Sequence, residues 1–198
     1  MRTAILRGWV SDGDSGNAAE AARNAVFGSV VLRTLVDICR FRAGPQDLSV
    51  AADQITSCVA AYVTVDLLLL SRGADIQSAL LLTAADTGLL MALCYGILVW
   101  YRVAQRFPQT LTALTGCSAL LSVLEVPVLW WLDRLQAMHA DATLALLALL
   151  LIGGWSVAVV GHVLRHALSV GLFRAMVYSV VYFYLAYWLA GWLAPVSG

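Results

Sequence analysis

Lysine is absent from this 198-residue chain, and all charged residues together make up 12% of it. A soluble domain carries about a quarter charged residues, so this composition excludes an ordinary water-soluble fold. The twelve basic residues are all Arg and twelve acidic residues balance them. With no net charge there is no broad basic field, and nucleic acid is not an expected partner. Arg in place of Lys fits a GC-rich bacterial genome. Cysteine is sparse: Cys39, Cys58, Cys94 and Cys117 form no CxxC pair, and three of them lie in apolar runs. That spacing argues against a disulfide framework or a metal site and for inert buried thiols. No GxxxxGK[ST], HExxH or GxSxG motif occurs, so no cofactor and no enzymatic activity are expected. Met1 to Glu20 has no apolar core of signal-peptide length and contains the loop-forming run Asp12-Gly13-Asp14-Ser15-Gly16; the first spanning helix is expected to act as its own insertion signal.

What the chain has instead is five long apolar runs. They predict spans over Ser49–Leu70, Ile76–Tyr101, Thr110–Leu132, Ala142–Val163 and Val170–Leu193, each near the roughly 20 residues that a bilayer core requires. Pro127 is expected to kink the third span, and Gly153-Gly154 to loosen the fourth. Short connections make consecutive helices antiparallel neighbours. Ahead of the spans, residues 1–17 read as a flexible tail and residues 18–43 as a helix with a turn at its end. Val26, Phe27, Val30, Val31, Leu35, Ile38 and Phe41 fall mainly on one side of that helix, and Arg23, Arg33, Asp37, Arg40 and Arg42 on the other. This is the pattern of a basic amphipathic helix lying in the headgroup region, and a partner-binding helix shares it. Gly44-Pro45 ends the helix, and Asp47 or Ser49 is positioned to cap the next. The fold class is therefore all-α: a polytopic membrane protein of five transmembrane helices over residues 44–198, preceded by a cytoplasmic amphipathic interfacial helix.

Arg placement predicts orientation. Ten Arg fall in the N-terminal region, the second-to-third loop and the fourth-to-fifth turn, whereas Arg72 and Arg134 alone fall at the other end. The positive-inside rule places the N-terminus in the cytoplasm and the C-terminus outside, across a bacterial inner membrane. Trp9, Trp100, Trp130, Trp131, Trp188 and Trp192 mostly fall near expected interfaces.

Two small-residue ridges are candidates for helix packing: Ala84, Gly88, Ala92 and Gly96 in the second span, and Gly154, Ala158 and Gly161 in the fourth. Small residues let helix backbones approach closely in lipid. Thr115, Ser118, Ser122 and Glu125 line one face of the third span, and Arg174, Tyr178 and Tyr182 one face of the fifth; both stripes are expected to turn inward. Ionisable residues inside spans need a reason. Asp66, Asp86 and Glu125 fall at broadly similar depth and are candidates for an intramembrane polar cluster with Arg174, Tyr178 and Tyr182. Such a cluster suits interhelical hydrogen bonding or Arg pairing, or alternatively a proton relay or cation site. His162, Arg165 and His166 stand together at the cytoplasmic end of the fourth span, while His139 belongs to the opposite surface. A bis-His haem needs matched depths, so the set reads, with Arg33, Arg40 and Arg42, as contacts for lipid headgroups or an acidic partner.

Two stretches carry a family resemblance. One is Phe41-Arg42-Ala43-Gly44-Pro45-Gln46-Asp47-Leu48-Ser49, and the other is Arg106-Phe107-Pro108-Gln109-Thr110-Leu111-Thr112-Ala113-Leu114-Thr115-Gly116. The second is similar to a Phe-x-Gln-Thr-Leu-x-x-Leu-Gly lead-in, with Thr115 inserted before the glycine. In these stretches, and in a cytoplasmic N-terminal segment followed by five spans, the chain resembles the bacterial Yip (Ypt-interacting protein) family over residues 41–194. The resemblance implies a non-enzymatic membrane protein that acts through other membrane components, and assigns no site residue. The leading expectation is a non-catalytic accessory or scaffold subunit of a larger membrane complex, with other integral membrane proteins and lipids as partners. The alternatives are a small transporter or proton or ion pathway, and a lipid-sensing or membrane-shaping protein working through residues 18–42.

Overall fold

The computed structural model describes residues 28–48, 52–73 and 75–193, and these residues are helical with no strand. The expected tail over residues 1–17 and the first turns of the amphipathic helix lie outside the described residues. Helix α1 covers residues 28–39. Five long helices follow: α2 (Ala52–Leu70), α3 (Ile76–Trp100), α4 (Phe107–Ala137), α5 (Thr143–Leu168) and α6 (Leu172–Leu193). All five are long and apolar enough to cross a bilayer, because hydrocarbon leaves a backbone no hydrogen-bond partner but itself.

The third span differs most from its expected bounds. It begins at Phe107, where Pro108 fills a first-turn position whose N–H needs no partner, and runs unbroken through Pro127 to Ala137. At 1.5 Å per residue its 31 residues span about 46 Å, longer than a hydrocarbon core of about 30 Å. The apolar run in the sequence marks only the part in lipid. Asp47 does not cap α2. It turns back to accept a hydrogen bond from the Gly44 N–H (2.8 Å), closing the single 3-10 turn Pro45–Asp47; Ser49 lies outside the described residues. Asp75 caps α3 by accepting from the Ser78 N–H (3.2 Å), and the Ser78 hydroxyl and backbone hold its carboxyl below the usual carboxylate range. Asp141 is lowered in the same way by Thr143, at the start of α5.

Four helices end on a left-handed residue that is not glycine: Phe41, Arg102, His139 and Ser169, with φ between 51° and 60°. In each case the next N–H reaches back five residues, as in Val103 to Leu98 (2.8 Å) and Ala140 to Leu135 (2.9 Å). This closure satisfies the last carbonyls and turns the chain sharply into short connections.

The spans form a closed ring in the order α2, α4, α5, α6, α3 and back to α2, with α3 also touching α4. Helix α4 is the most enclosed. Thr110 to Cys117 are all buried, and Thr110, Thr112 and Thr115 each donate to the carbonyl four residues back at 2.8 Å. Their hydroxyls are satisfied within the helix, so the buried face works as an apolar one. Helix α1 packs onto it. Leu35 and Ile38 are 5% and 0% exposed and join the same core as Cys58, Leu114, Cys117 and Val163. The expected interfacial helix is thus corrected in one respect: these two residues face protein, while Val30, Leu32 and Val36 are exposed beside Arg33 and Arg40. A further correction concerns Gly116, which is a close-approach site missing from the expected ridges. A Cβ there would lie 2.7 Å from Leu35 Cδ1 and 3.3 Å from Cys58 Sγ.

Side-chain contacts tie the loops of each end together. Arg106 Nη1 donates to the Ala167 carbonyl (2.9 Å) and the Ser169 hydroxyl (3.2 Å), placing a cation on the negative end of α5. At the other end Arg72 pairs with Asp133. Trp100, Trp130, Trp188 and Trp192, all near helix ends, are exposed.

Ile38→Ala is expected to destabilise the protein by about 2–4 kcal/mol through an unfilled cavity, and Gly116→Val by about 1–3 kcal/mol through overpacking against Leu35. Thermal unfolding in detergent, together with proteolysis at residues 40–48, measures both. Melting unchanged in both variants would show that α1 is not docked.

Candidate intramembrane polar site

Asp86 projects from the middle of α3 toward the inside of the ring, where the flanking helices each supply a phenol. Tyr62 of α2 donates to Asp86 Oδ2, and Tyr182 of α6 donates to Asp86 Oδ1 at 3.3 Å. The two hydroxyls are 3.5 Å apart. Asp66, one helical turn beyond Tyr62, lies within electrostatic reach of Asp86, and its polar neighbour is Thr83 of α3. The Thr83 hydroxyl is near Asp66 but outside hydrogen-bond geometry: Asp66 Oδ2, Thr83 Oγ1 and Thr87 Oγ1 are buried without a hydrogen-bond partner. No Arg or His pairs with either carboxyl, since Arg72–Asp133 is the sole ion pair among the described residues.

Of the six residues expected to cluster, the structure brings together Asp66, Asp86 and Tyr182. Glu125 stands apart on α4, half-buried with no hydrogen-bond partner among these groups. Tyr178 bonds instead to the Tyr101 hydroxyl (2.8 Å), and Arg174 is exposed. The reason is depth: the three residues share one face of α6, but Tyr178 lies level with the end of α3 and Arg174 falls one turn nearer the surface, in the first turn of α6. Tyr62 and Thr83 were not among the expected residues. The four-residue spacing of Tyr62 and Asp66 was the available signal for the first; nothing local marks Thr83.

The small-residue ridges divide. In α5, Gly161 is a true close approach, since a Cβ there would meet Met176 Sδ at 2.5 Å. Ala158 is half-buried, and Gly154 is exposed with nothing near it. Close α5–α6 contact is completed by Ala175 and by Ser179, which donates to the Val157 carbonyl (2.7 Å). In α3 the ridge is not covered by any helix among the described residues of this chain. Ala84, Gly88, Ala92 and Gly96 are all exposed, and a Cβ at Gly88 or Gly96 meets nothing within 4 Å. The ridge lies opposite Asp86 on the helix, so turning the carboxyl inward turns the ridge outward.

The set expected to meet headgroups also divides. Arg33, Arg40, Arg42 and Arg165 are exposed. His162 is 9% exposed, its Nε2 donating to the Ala43 carbonyl (3.0 Å) and its ring meeting the Phe41 edge. His166 is half-buried with its ring 4.6 Å from that of His162. With Trp155, whose Nε1 donates to the Cys39 carbonyl (3.0 Å), His162 fastens the chain after α1 to the bundle. It acts as a structural clasp, since it is buried and its Nε2 is used internally. The described residues contain no group of three or more His, Cys, Asp or Glu side chains placed to hold a metal.

Comparisons with family models, curated proteins and solved structures return no match to the chain.

Tyr62→Phe and Asp86→Asn are each expected to cost about 1–3 kcal/mol, and the double variant less than their sum because the two groups share one interaction. Unfolding of the four proteins of this cycle measures the coupling; strict additivity would show that the contact carries none. Tyr187→Phe, at an exposed position, is the neutral control.

Proposed function

We propose that the protein is a non-catalytic accessory or scaffold subunit of a membrane complex, which packs the outer face of α3 against a transmembrane helix of another membrane protein. The observation that carries this reading is the outward ridge of Ala84, Gly88, Ala92 and Gly96, with open space at Gly88 and Gly96. Lipid chains gain nothing from such a groove, whereas a second helix gains close van der Waals contact along it. The exposed Arg33, Arg40, Arg42 and Arg165 supply a basic surface for an acidic partner or headgroups at the same end of the bundle. Five spans preceded by an N-terminal helix are also the organisation that the Yip-family resemblance implies. The lipid-sensing alternative is weaker, because Leu35 and Ile38 are buried against protein and unavailable for insertion.

Purification from native membranes in mild detergent is expected to yield a stoichiometric membrane partner. Gly88→Leu with Gly96→Leu is expected to release that partner while leaving the melting temperature unchanged, since neither site touches the chain's own core. A lone monomer, a second copy as the sole partner, or retention of the partner by the double variant would each remove support for this reading.

We also propose that the protein sits in a bacterial inner membrane with its N-terminus in the cytoplasm. Seven Arg among the described residues fall at the α1 end of the bundle, and two at the other. Impermeant thiol labelling of single cysteines placed at positions 46 and 140 is expected to mark only position 140 from outside. Labelling of position 46 from outside would reverse the orientation.

A further inference from the structure

The inner polar cluster is left unused by the docking reading and does not depend on it. Its two carboxyl groups differ in how their charge is met. Both oxygens of Asp86 accept from phenols, Tyr62 and Tyr182, which are themselves 6% and 9% exposed. Asp66 has no such partners: its Oδ2 is buried and unpaired. Thr83 is 3% exposed, and its hydroxyl stands beside Asp66 without a hydrogen bond of its own. A buried hydroxyl and a buried carboxylate oxygen left unpaired are both costly, and a carboxylate without counter-charge in a membrane is more so. Every polar atom here that lacks a partner is an oxygen with free lone pairs, with no nitrogen among them. That donor set recognises a small hard cation. Hydrogen bonds from neutral phenols do not cancel charge, but two neighbouring carboxyl groups in one buried site hold a single negative charge between them, so one positive charge balances it. Access is short, since Asp66 lies four residues from the end of α2, about 6 Å along its axis.

We propose that Asp66, Asp86 and Thr83 form a binding site for a monovalent cation of the sodium class, with Tyr62 and Tyr182 positioning Asp86. The test is thermal melting of the full chain in detergent, followed by tryptophan fluorescence, in sodium, lithium, potassium or choline chloride at equal ionic strength and pH. Sodium is expected to raise the melting temperature by a few degrees in a saturable way, with choline inert. Asp66→Asn is expected to abolish the response, and Thr83→Val to weaken the apparent sodium affinity about tenfold or more. Thr83→Val removes one hydroxyl at near-constant volume, so it serves should Asp66→Asn fail to fold, and the titration of the unmodified chain decides the matter if neither folds. Equal melting in all four salts overturns the proposal. So does a response to calcium or magnesium alone, a response to pH alone, or a sodium response that both variants keep. None of these results touches the α3 ridge, so failure here and failure of the docking reading are separable.

Discussion

Every feature of this molecule answers to the absence of water around its backbone. In hydrocarbon an amide group finds its partner in its own helix or goes without, and the same demand extends to side chains. Thr110, Thr112 and Thr115 return their hydroxyls to carbonyls of α4. Ser179 spends its hydroxyl across the α5–α6 contact. Polar residues inside the bundle thus become either locally silent or specific links between helices. Among the described residues, Asp66, Thr83 and Thr87 have buried oxygens that leave the demand unmet, and for that reason their region stands out chemically.

The second organising element is α4. The stretch Thr110 to Cys117 in its N-terminal half is buried, and Gly116 opens the space that Leu35 fills. Docking of α1 brings the following segment back along α5, where Trp155 and His162 hold two of its carbonyls. Arg106 then ties the start of α4 to the end of α5. Packing, helix-end charge and carbonyl capture all converge on one end of the bundle, whereas the opposite end has the Arg72–Asp133 pair.

Helix α3 shows how one rotation sets the direction of two opposed faces at once. Its inner face carries Asp86 between two tyrosines, and its outer face carries the small-residue ridge. Neither face can change without the other, because 3.6 residues per turn fixes their angular separation. A partner helix on the ridge would therefore press against the same helix that positions the carboxyl.

Length and apolar composition were enough to read the five spans, since burial in lipid depends on the summed hydropathy of each segment and little on its neighbours. The same local rules showed that α3 has opposed carboxyl and small-residue faces. They did not show which face turns inward. They also grouped Glu125, Arg174 and Tyr178 with Asp86, treated His162 as a headgroup contact, and passed over Tyr62, Thr83 and Gly116. These depend on the depth and rotation of one helix against another and on contacts between residues far apart in the chain, such as Tyr62 with Asp86 or Leu35 with Gly116. Hydropathy is a property of a segment and is written in the sequence. Azimuth is a property of a pair of helices, and only the packed bundle decides it.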